Sequence, residues 1–300
     1  MSVEAAAGSE PAPSKRKRGA KMGETPGTYD NEDEEEGQEE LLDDAEEEDL
    51  DASDLAFDDF LGLCRSYRSI AGRTLERLRE HAARWPAALT ALLPRDEIQG
   101  RCQQLAHAIE ANGSFWDEVA SGILQASGGE ADDMGGAEED AAKHWGTLQA
   151  LTYSLVREWS DEGASERDKC FERIVRSLEQ HVAKGKDRKR KVLVPGAALM
   201  RLPLEIVKRG YAVEAIELCM GMVLLGTFLT QQCPEAGQHT IHPFIEEKGG
   251  HFHKADQFRS VSLPDVAPKS FLASGDSAAF QVTMGDFIEN TTGRRAEFDA

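Results

Sequence analysis

Residues 192–232 constrain the fold more tightly than any other stretch of the chain. Val192-Leu193-Val194 is a short, unbroken apolar run, the pattern of a strand buried on both faces. Pro195-Gly196-Ala197-Ala198 follows as a turn, and the spacing predicts a helix over about 199–209. Pro203 is compatible with that helix because, in the first turn, its missing N–H has no helical partner to lose. Gly210 punctuates the helix end, residues 211–216 read as a second strand closing on Glu217, and 218–232 as a second, largely apolar helix. A βαβα unit of this kind calls for parallel strands joined by a right-handed crossover. This part of the chain is therefore α/β.

Everything between residue 55 and this unit reads as helical. Over 55–83 the apolar residues Phe57, Phe60, Leu61, Cys64, Tyr67, Ile70 and Ala71 recur at three- and four-residue steps and form one face. Pro86 and Pro94 bracket a short apolar piece at 87–93. Two further helices are expected over 95–111 and 114–125, then a Gly- and Asp-rich loop over 127–139, then helices over 140–159 and 165–183. Residues 184–191 form a basic connector, and 280–283 read as a core strand that positions Asp286 at its end. No internal repeat is visible.

Charge separates the first 54 residues from the rest. The chain carries a formal net charge of −21. Residues 1–54 hold 19 acids against 5 bases, which leaves only −7 for residues 55–300. With so little apolar surface to offset chain entropy, 1–54 is expected to stay disordered. It contains a basic tetrad, Lys15-Arg16-Lys17-Arg18, that admits a nuclear address, and an acidic run over 32–51 best read as a solvated spacer. The near-neutral remainder argues against broad nucleic-acid binding, and no apolar stretch approaches the ~18 residues a membrane span needs. Five scattered cysteines, with no C-x-x-C pair, read as reduced thiols of a cytoplasmic protein.

A βαβ turn aims backbone N–H groups and a helix N-terminus at a ligand, and an acid on the tip of the second strand can accept from a ribose diol. Gly196 opens the turn and Glu217 stands 21 positions later, which suits nucleotide-type binding and equally suits a solvated helix cap. The segment from Val192 to Leu202 resembles the first motif of the carnosine N-methyltransferase family, methyltransferases that use S-adenosylmethionine. So do Leu155-Val156-Arg157-Glu158-Trp159-Ser160 with Glu166-Arg167-Asp168, just ahead of that core. Phe60 to Tyr67, Leu92-Leu93-Pro94 and Ile109-Glu110-Ala111-Asn112 with Phe115 follow the family's N-terminal helices. Asp256-Gln257-Phe258-Arg259, Leu263-Pro264-Asp265-Val266 and Met284-Gly285-Asp286-Phe287 match its later loop and its acid after the third strand.

The resemblance implies a class I methyltransferase, Rossmann-like sheet over 192–300, incomplete, after a tail (1–54), a helical region (55–183) and the connector 184–191. It implies that Arg157 meets the cofactor carboxylate, Gly196 lets the backbone approach the methionine portion, Glu217 holds the ribose, and Asp286 and Phe287 flank the adenine. The reaction it implies moves a methyl group to the imidazole of carnosine or of a peptide histidine, giving anserine from carnosine; a homodimer is compatible with it. Catalytic residues are expected beyond Ala300, and no metal is expected. The family has glycines where Ala198 and Met200 stand and a glutamine at Ser154; the Ala198 methyl is therefore expected to intrude on the ligand side, and the longer Met200 side chain to sit where a close backbone–ligand or strand–helix approach is expected. Residues 297–300 read as the opening of a fourth strand, so a fragment is expected, with the first strand's apolar edge open, and with aggregation or weak cofactor binding when expressed alone. A non-catalytic interaction protein is the rival, and a nicotinamide-dependent oxidoreductase a weaker one. His239, His242, His251 and His253 cluster within fifteen positions but are expected to be exposed loop residues, not a metal site.

Overall fold

The computed structural model describes residues 55–92, 95–129, 138–185, 188–247, 253–272 and 279–300. The charged tail 1–54, Leu93-Pro94, the Gly- and Asp-rich stretch 130–137, Lys186-Asp187 of the connector and His251 lie outside the described residues.

Six helices come first: α1 (Phe57–Arg84), α2 (Ala87–Leu92), α3 (Arg95–Ser127), α4 (Glu138–Lys143), α5 (Trp145–Trp159) and α6 (Ala164–His181). On α1 the predicted face is buried from Phe60 to Ala71 and extends to Leu75, with Phe57 only half-covered. Asp58 and Asp59 in its first turn and Arg84 in its last complement the helix dipole. Pro86 forces Trp85 into an extended conformation and ends the helix.

The two helices expected over 95–125 are one. Asn112 and Gly113 disfavour helix locally by roughly 0.5–1 kcal/mol each, but tertiary contacts override that. The buried Asn112 donates from Nδ2 to Tyr67 Oη (2.8 Å) and to the His242 carbonyl (2.9 Å), and accepts from the His242 N–H (2.6 Å). At Gly113 a Cβ would stand 2.4 Å from Cγ of Arg68, whose guanidinium crosses from α1 to Glu110, Ser114 and Asp117 on α3. The expected helix over 140–159 is, in contrast, divided at His144 into α4 and α5.

The rest is the α/β part: β1 (Lys191–Pro195), α7 (Arg201–Lys208), β2 (Ala212–Glu217), α8 (Met220–Gln232), β3 (His239–Ile241), β4 (Val261–Leu263), β5 (Phe280–Met284) and α9 (Phe287–Thr291). Strands β1, β2 and β5 form a parallel sheet in the order β1-β2-β5, in register at Val194, Ala215 and Val282. This is a partial Rossmann-like arrangement after a helical region. The face carrying Val192, Val194, Val213 and Ala215 packs on Val175, Ile206 and Val207 of α6 and α7 and on Val223 of α8. The other face carries Glu214, 2% exposed, gripped by both Nη atoms of Arg294 (2.6 and 2.8 Å) and by Lys191 (3.1 Å).

Three details of the α/β part differ from expectation. β5 is an edge strand with Gln281 and Met284 exposed, not a core strand, because only β2 pairs with it among the described residues. The helix expected from 199 starts at Arg201, since Met200 takes a left-handed conformation. The outer edge of β1 is also not left open. Residues 299–300 run beside it in the same direction, the Asp299 N–H donating to the Lys191 carbonyl (2.7 Å) and the Leu193 N–H to the Ala300 carbonyl (2.8 Å). β3 and β4 form a separate antiparallel pair. One core joins Phe60, Trp116 and Trp159 from the helices to Leu199, Leu204 and Phe228. Among the described residues no helix is long and apolar enough to cross a membrane.

Candidate functional site

Parallel pairing brings the C-terminal ends of β1, β2 and β5 to one edge of the sheet, and the loops leaving that edge build the site. After β1 the chain turns through Gly196 (φ +65°), where an added Cβ would meet nothing within 4 Å, so the backbone is open to a ligand. Ala198 (φ 46°) and Met200 (φ 69°) also adopt the left-handed conformation, at a cost of about 1 kcal/mol or more each for a residue with a Cβ.

Contacts from three directions hold the turn in this shape. The Ala197 N–H donates to the Ile216 carbonyl (3.2 Å) and the Ala198 N–H to Glu217 Oε2 (2.7 Å). The Leu199 N–H donates to Glu158 Oε2 (3.2 Å), and the buried Trp159 indole Nε1–H to the Leu199 carbonyl (2.9 Å). Met200 is fully buried with Ala197 and Ala215, packed against Val223. Gly226 makes room for it: a Cβ there would lie 3.0 Å from Met200 Cγ. Of the two places expected for Met200, the structure shows the strand–helix approach, between β2 and α8, and it is Ala198 that lines the cavity. A flexible thioether facing a helix that lacks a side chain at the crossing finds its space in the core.

A cavity of about 260 Å³ opens beside the turn, lined by Arg157, Glu158, Arg167, Phe171, Gly196 and Ala198 among others. That lies just under the ~300–1,000 Å³ usual for small-molecule sites, room for an amino-acid-sized group. Arg157 is about half exposed, with its Nη2 3.3 Å from Glu158 Oε1. Glu158 is 3% exposed; burial pushes its carboxyl above the usual range, opposed by Arg157 and by the Leu199 and Arg201 amides.

At the cavity wall, which Arg167 lines, two buried arginines converge on one acid. Arg201 donates to Asp265 at 2.6 and 3.2 Å, and Arg167 to the same carboxylate at 2.6 Å. Arg167 also donates to the Arg157 and Ser160 carbonyls (2.9 and 2.7 Å), so it satisfies the C-terminal end of α5 that presents Arg157. The Asp265 N–H returns to the Trp159 carbonyl (2.8 Å). Sequence reasoning noted these residues but gave them no role. The available signal was a lone acid, Asp265, in an apolar loop, and basic residues beside buried positions.

The residues singled out in the sequence meet unevenly. Arg157 and Gly196 line the cavity together. Glu217, at the tip of β2, spans the turn amide and its own Cys219 N–H (3.0 Å) and lies outside the cavity lining. Asp286 caps α9, accepting from the Glu289 N–H (2.9 Å), and Phe287 is exposed beside it. The Gly285 N–H donates to the Glu217 carbonyl (2.9 Å), which brings this pair to the same sheet edge but not to the cavity.

The histidines do not behave as expected of loop residues. His239 and His242 are buried. His239 packs on Phe115 and Phe228 with Nε2 3.3 Å from Cys233 Sγ, and burial lowers its pKa against Glu118. His242 has its Nδ1 2.8 Å from the Phe258 carbonyl. The short strand β3 carries His239 into the core, and the loop just after it carries His242 there. His253 alone is exposed among those described. Among the described residues no three His, Cys, Asp or Glu side chains are grouped to hold a metal ion.

Comparison with known proteins identifies the family. Curated relatives include the carnosine N-methyltransferases of Dictyostelium discoideum, 35% identical over 147 residues (48% of this chain, 32% of that protein). Another is that of Mus musculus, 34% identical over 144 residues (47% and 35%). The enzyme of Schizosaccharomyces pombe is 30% identical over 137 residues (45% and 36%). The chain spans about a third of the length of the curated relatives it matches. Residues 139–300, more than half of the chain, match the family described as carnosine N-methyltransferase. The chain belongs to the carnosine N-methyltransferase family.

Proposed function

We propose that this chain carries the cofactor-binding part of an S-adenosylmethionine-dependent N-methyltransferase that acts on the imidazole of carnosine or of a peptide histidine. The observation that carries the reading is the turn itself. Gly196 leaves its backbone open beside a cavity of about 260 Å³, and three residues hold left-handed conformations where the family has glycines. The donor set fits an amino-acid zwitterion at that cavity, since it includes the half-exposed guanidinium of Arg157 and a turn backbone free of side-chain obstruction. Glu217 already accepts two backbone N–H bonds, but a carboxylate offers about four lone-pair positions and keeps acceptors for a ribose diol. Asp286 and Phe287, on the same sheet edge, would flank the adenine.

When bound, the cofactor supplies an electrophilic methyl group on a sulfonium sulfur; neutral imidazole is a competent nucleophile for it at physiological pH. The chain's own residues orient the methionine portion through Arg157 and the turn, and keep the turn rigid through Glu158, Trp159 and Glu217. The basic tetrad and near-neutral folded part suit a cytoplasmic protein with nuclear access. Equilibrium dialysis of labelled S-adenosylmethionine against the chain tests the reading. In place of the weak binding expected from an open β1 edge and an altered glycine turn, binding is expected, because residues 299–300 cover that edge and Met200 lies in the core; Arg157→Ala and Glu217→Ala are each expected to weaken it by about tenfold or more. No binding to the wild-type chain, or unchanged affinity in both variants, overturns the reading in favour of a non-catalytic interaction protein.

A further inference from the structure

Glu158 has a role that the glycine turn and Arg157 do not account for. It is a carboxylate, 3% exposed, and it lines the same cavity as Gly196. The structure gives it two long hydrogen bonds, 3.3 Å from Arg157 and 3.2 Å from the Leu199 N–H, along with the nearby Arg201 amide. A carboxylate has about four lone-pair positions, so one kept from water with long contacts has acceptor capacity to spare. Among the described residues its one cationic partner is the half-exposed Arg157 guanidinium at 3.3 Å, the group assigned to the cofactor carboxylate, so a cationic group on the ligand would further offset the cost of holding this acid out of water. The strand offers no alternative: β1 runs Lys191-Val192-Leu193-Val194-Pro195 into the turn without an acid. Among the cavity's lining residues the only other carboxylate is Glu166, which is exposed.

Resting on the cofactor reading above, we propose that Glu158 receives the α-ammonium group of the cofactor's methionine portion while its neighbour Arg157 receives the α-carboxylate. Consecutive residues at the end of α5 thereby present one charge of each sign to a zwitterion. Arg167 fixes the carbonyls of that helix end and Asp265 fixes Arg167, so the pair is held in position. The buried acid makes the site selective for amino-acid-bearing nucleosides over nucleosides that lack the amine.

The alternative role for Glu158 is structural, holding the first amides ahead of α7, and the test separates the two. Calorimetry compares S-adenosylhomocysteine with its analogue lacking the α-amino group. On the wild-type chain the analogue is expected to bind about tenfold or more weakly, the loss of a hydrogen bond to a charged group. Glu158→Gln keeps an oxygen to accept from Leu199 but loses the charge. It is expected to weaken S-adenosylhomocysteine by about tenfold and bring the two ligands within about twofold of each other, whereas Glu166→Gln preserves the difference. If the wild-type chain binds both ligands equally, the proposal is wrong and the cofactor reading survives. If Glu166→Gln, not Glu158→Gln, abolishes the difference, the acid has been misassigned. If neither ligand binds the wild-type chain, both readings fall. If Glu158→Gln fails to fold, a wild-type chain that does not discriminate still overturns the proposal, and a difference abolished by Glu166→Gln overturns the assignment while one that survives Glu166→Gln supports it.

Discussion

At the scale of single residues, Ala198 and Met200 show how differently two side chains tolerate one backbone conformation. Both have positive φ, yet Ala198 is partly exposed on the cavity side and Met200 is wholly buried. Replacing Ala198 by Gly removes left-handed strain and adds unfolded-state entropy, so the change in stability is expected within about 1 kcal/mol of zero. Met200→Gly relieves the same strain but empties a packed site, and a net loss of roughly 2–4 kcal/mol is expected. Urea denaturation of the two variants checks this contrast. Because Met200 is absent from the cavity lining, Met200→Gly is not expected to change nucleoside affinity by more than about twofold. A large gain in affinity from Met200→Gly would restore the view that its side chain obstructs the ligand.

At the scale of elements, α3 depends on Asn112. Replacing it with Ala would orphan the buried His242 N–H and carbonyl and remove the bond to Tyr67. A loss of roughly 2–4 kcal/mol in chemical denaturation is expected, since each unsatisfied buried group costs ~1–3 kcal/mol. The same side chain explains why α3 was not legible as one helix: its Asn-Gly pair signals a break locally, and its partners lie 45 and 130 positions away. The β1-turn-α7-β2 unit was legible because its signals are local, a three-residue apolar run, a turn glycine and a terminal acid. Gly196 and Glu217 were readable for that reason. Glu158, Arg167, Arg201 and Asp265 were quoted as matched residues without a function, because their meaning lies in a convergence across as many as 107 positions of chain. The burial of His239 and His242 escaped notice for a related reason. A polar strand looks exposed until the aromatic residues that cover it are known.

At the scale of the whole molecule, the chain's last residues are fastened to β1 by charge as well as by backbone pairing. Asp299 accepts from the Lys191 N–H and from Arg188 and Arg190, which lowers its pKa to about 2. Glu297 is lowered to about 2 by Arg294 and Lys191. Both groups are depressed relative to an unfolded carboxylate near ~4, so their contribution is fully present above that value and disappears as the pH falls through about 2. Hydrogen exchange at the Leu193 amide reads the attachment directly. Protection is expected to persist at pH 4 and vanish towards pH 2, and Asp299→Asn is expected to remove most of that dependence. An amide equally protected at both pH values in the wild-type chain would show that backbone pairing alone secures the segment. The position of this segment has a further consequence. With residues 299–300 on one flank of β1 and β2 on the other, successive strands are laid down in opposite directions from β1. A doubly wound sheet opens a crevice beyond the carboxyl end of the strand where its winding reverses, and in this chain that strand delivers Gly196.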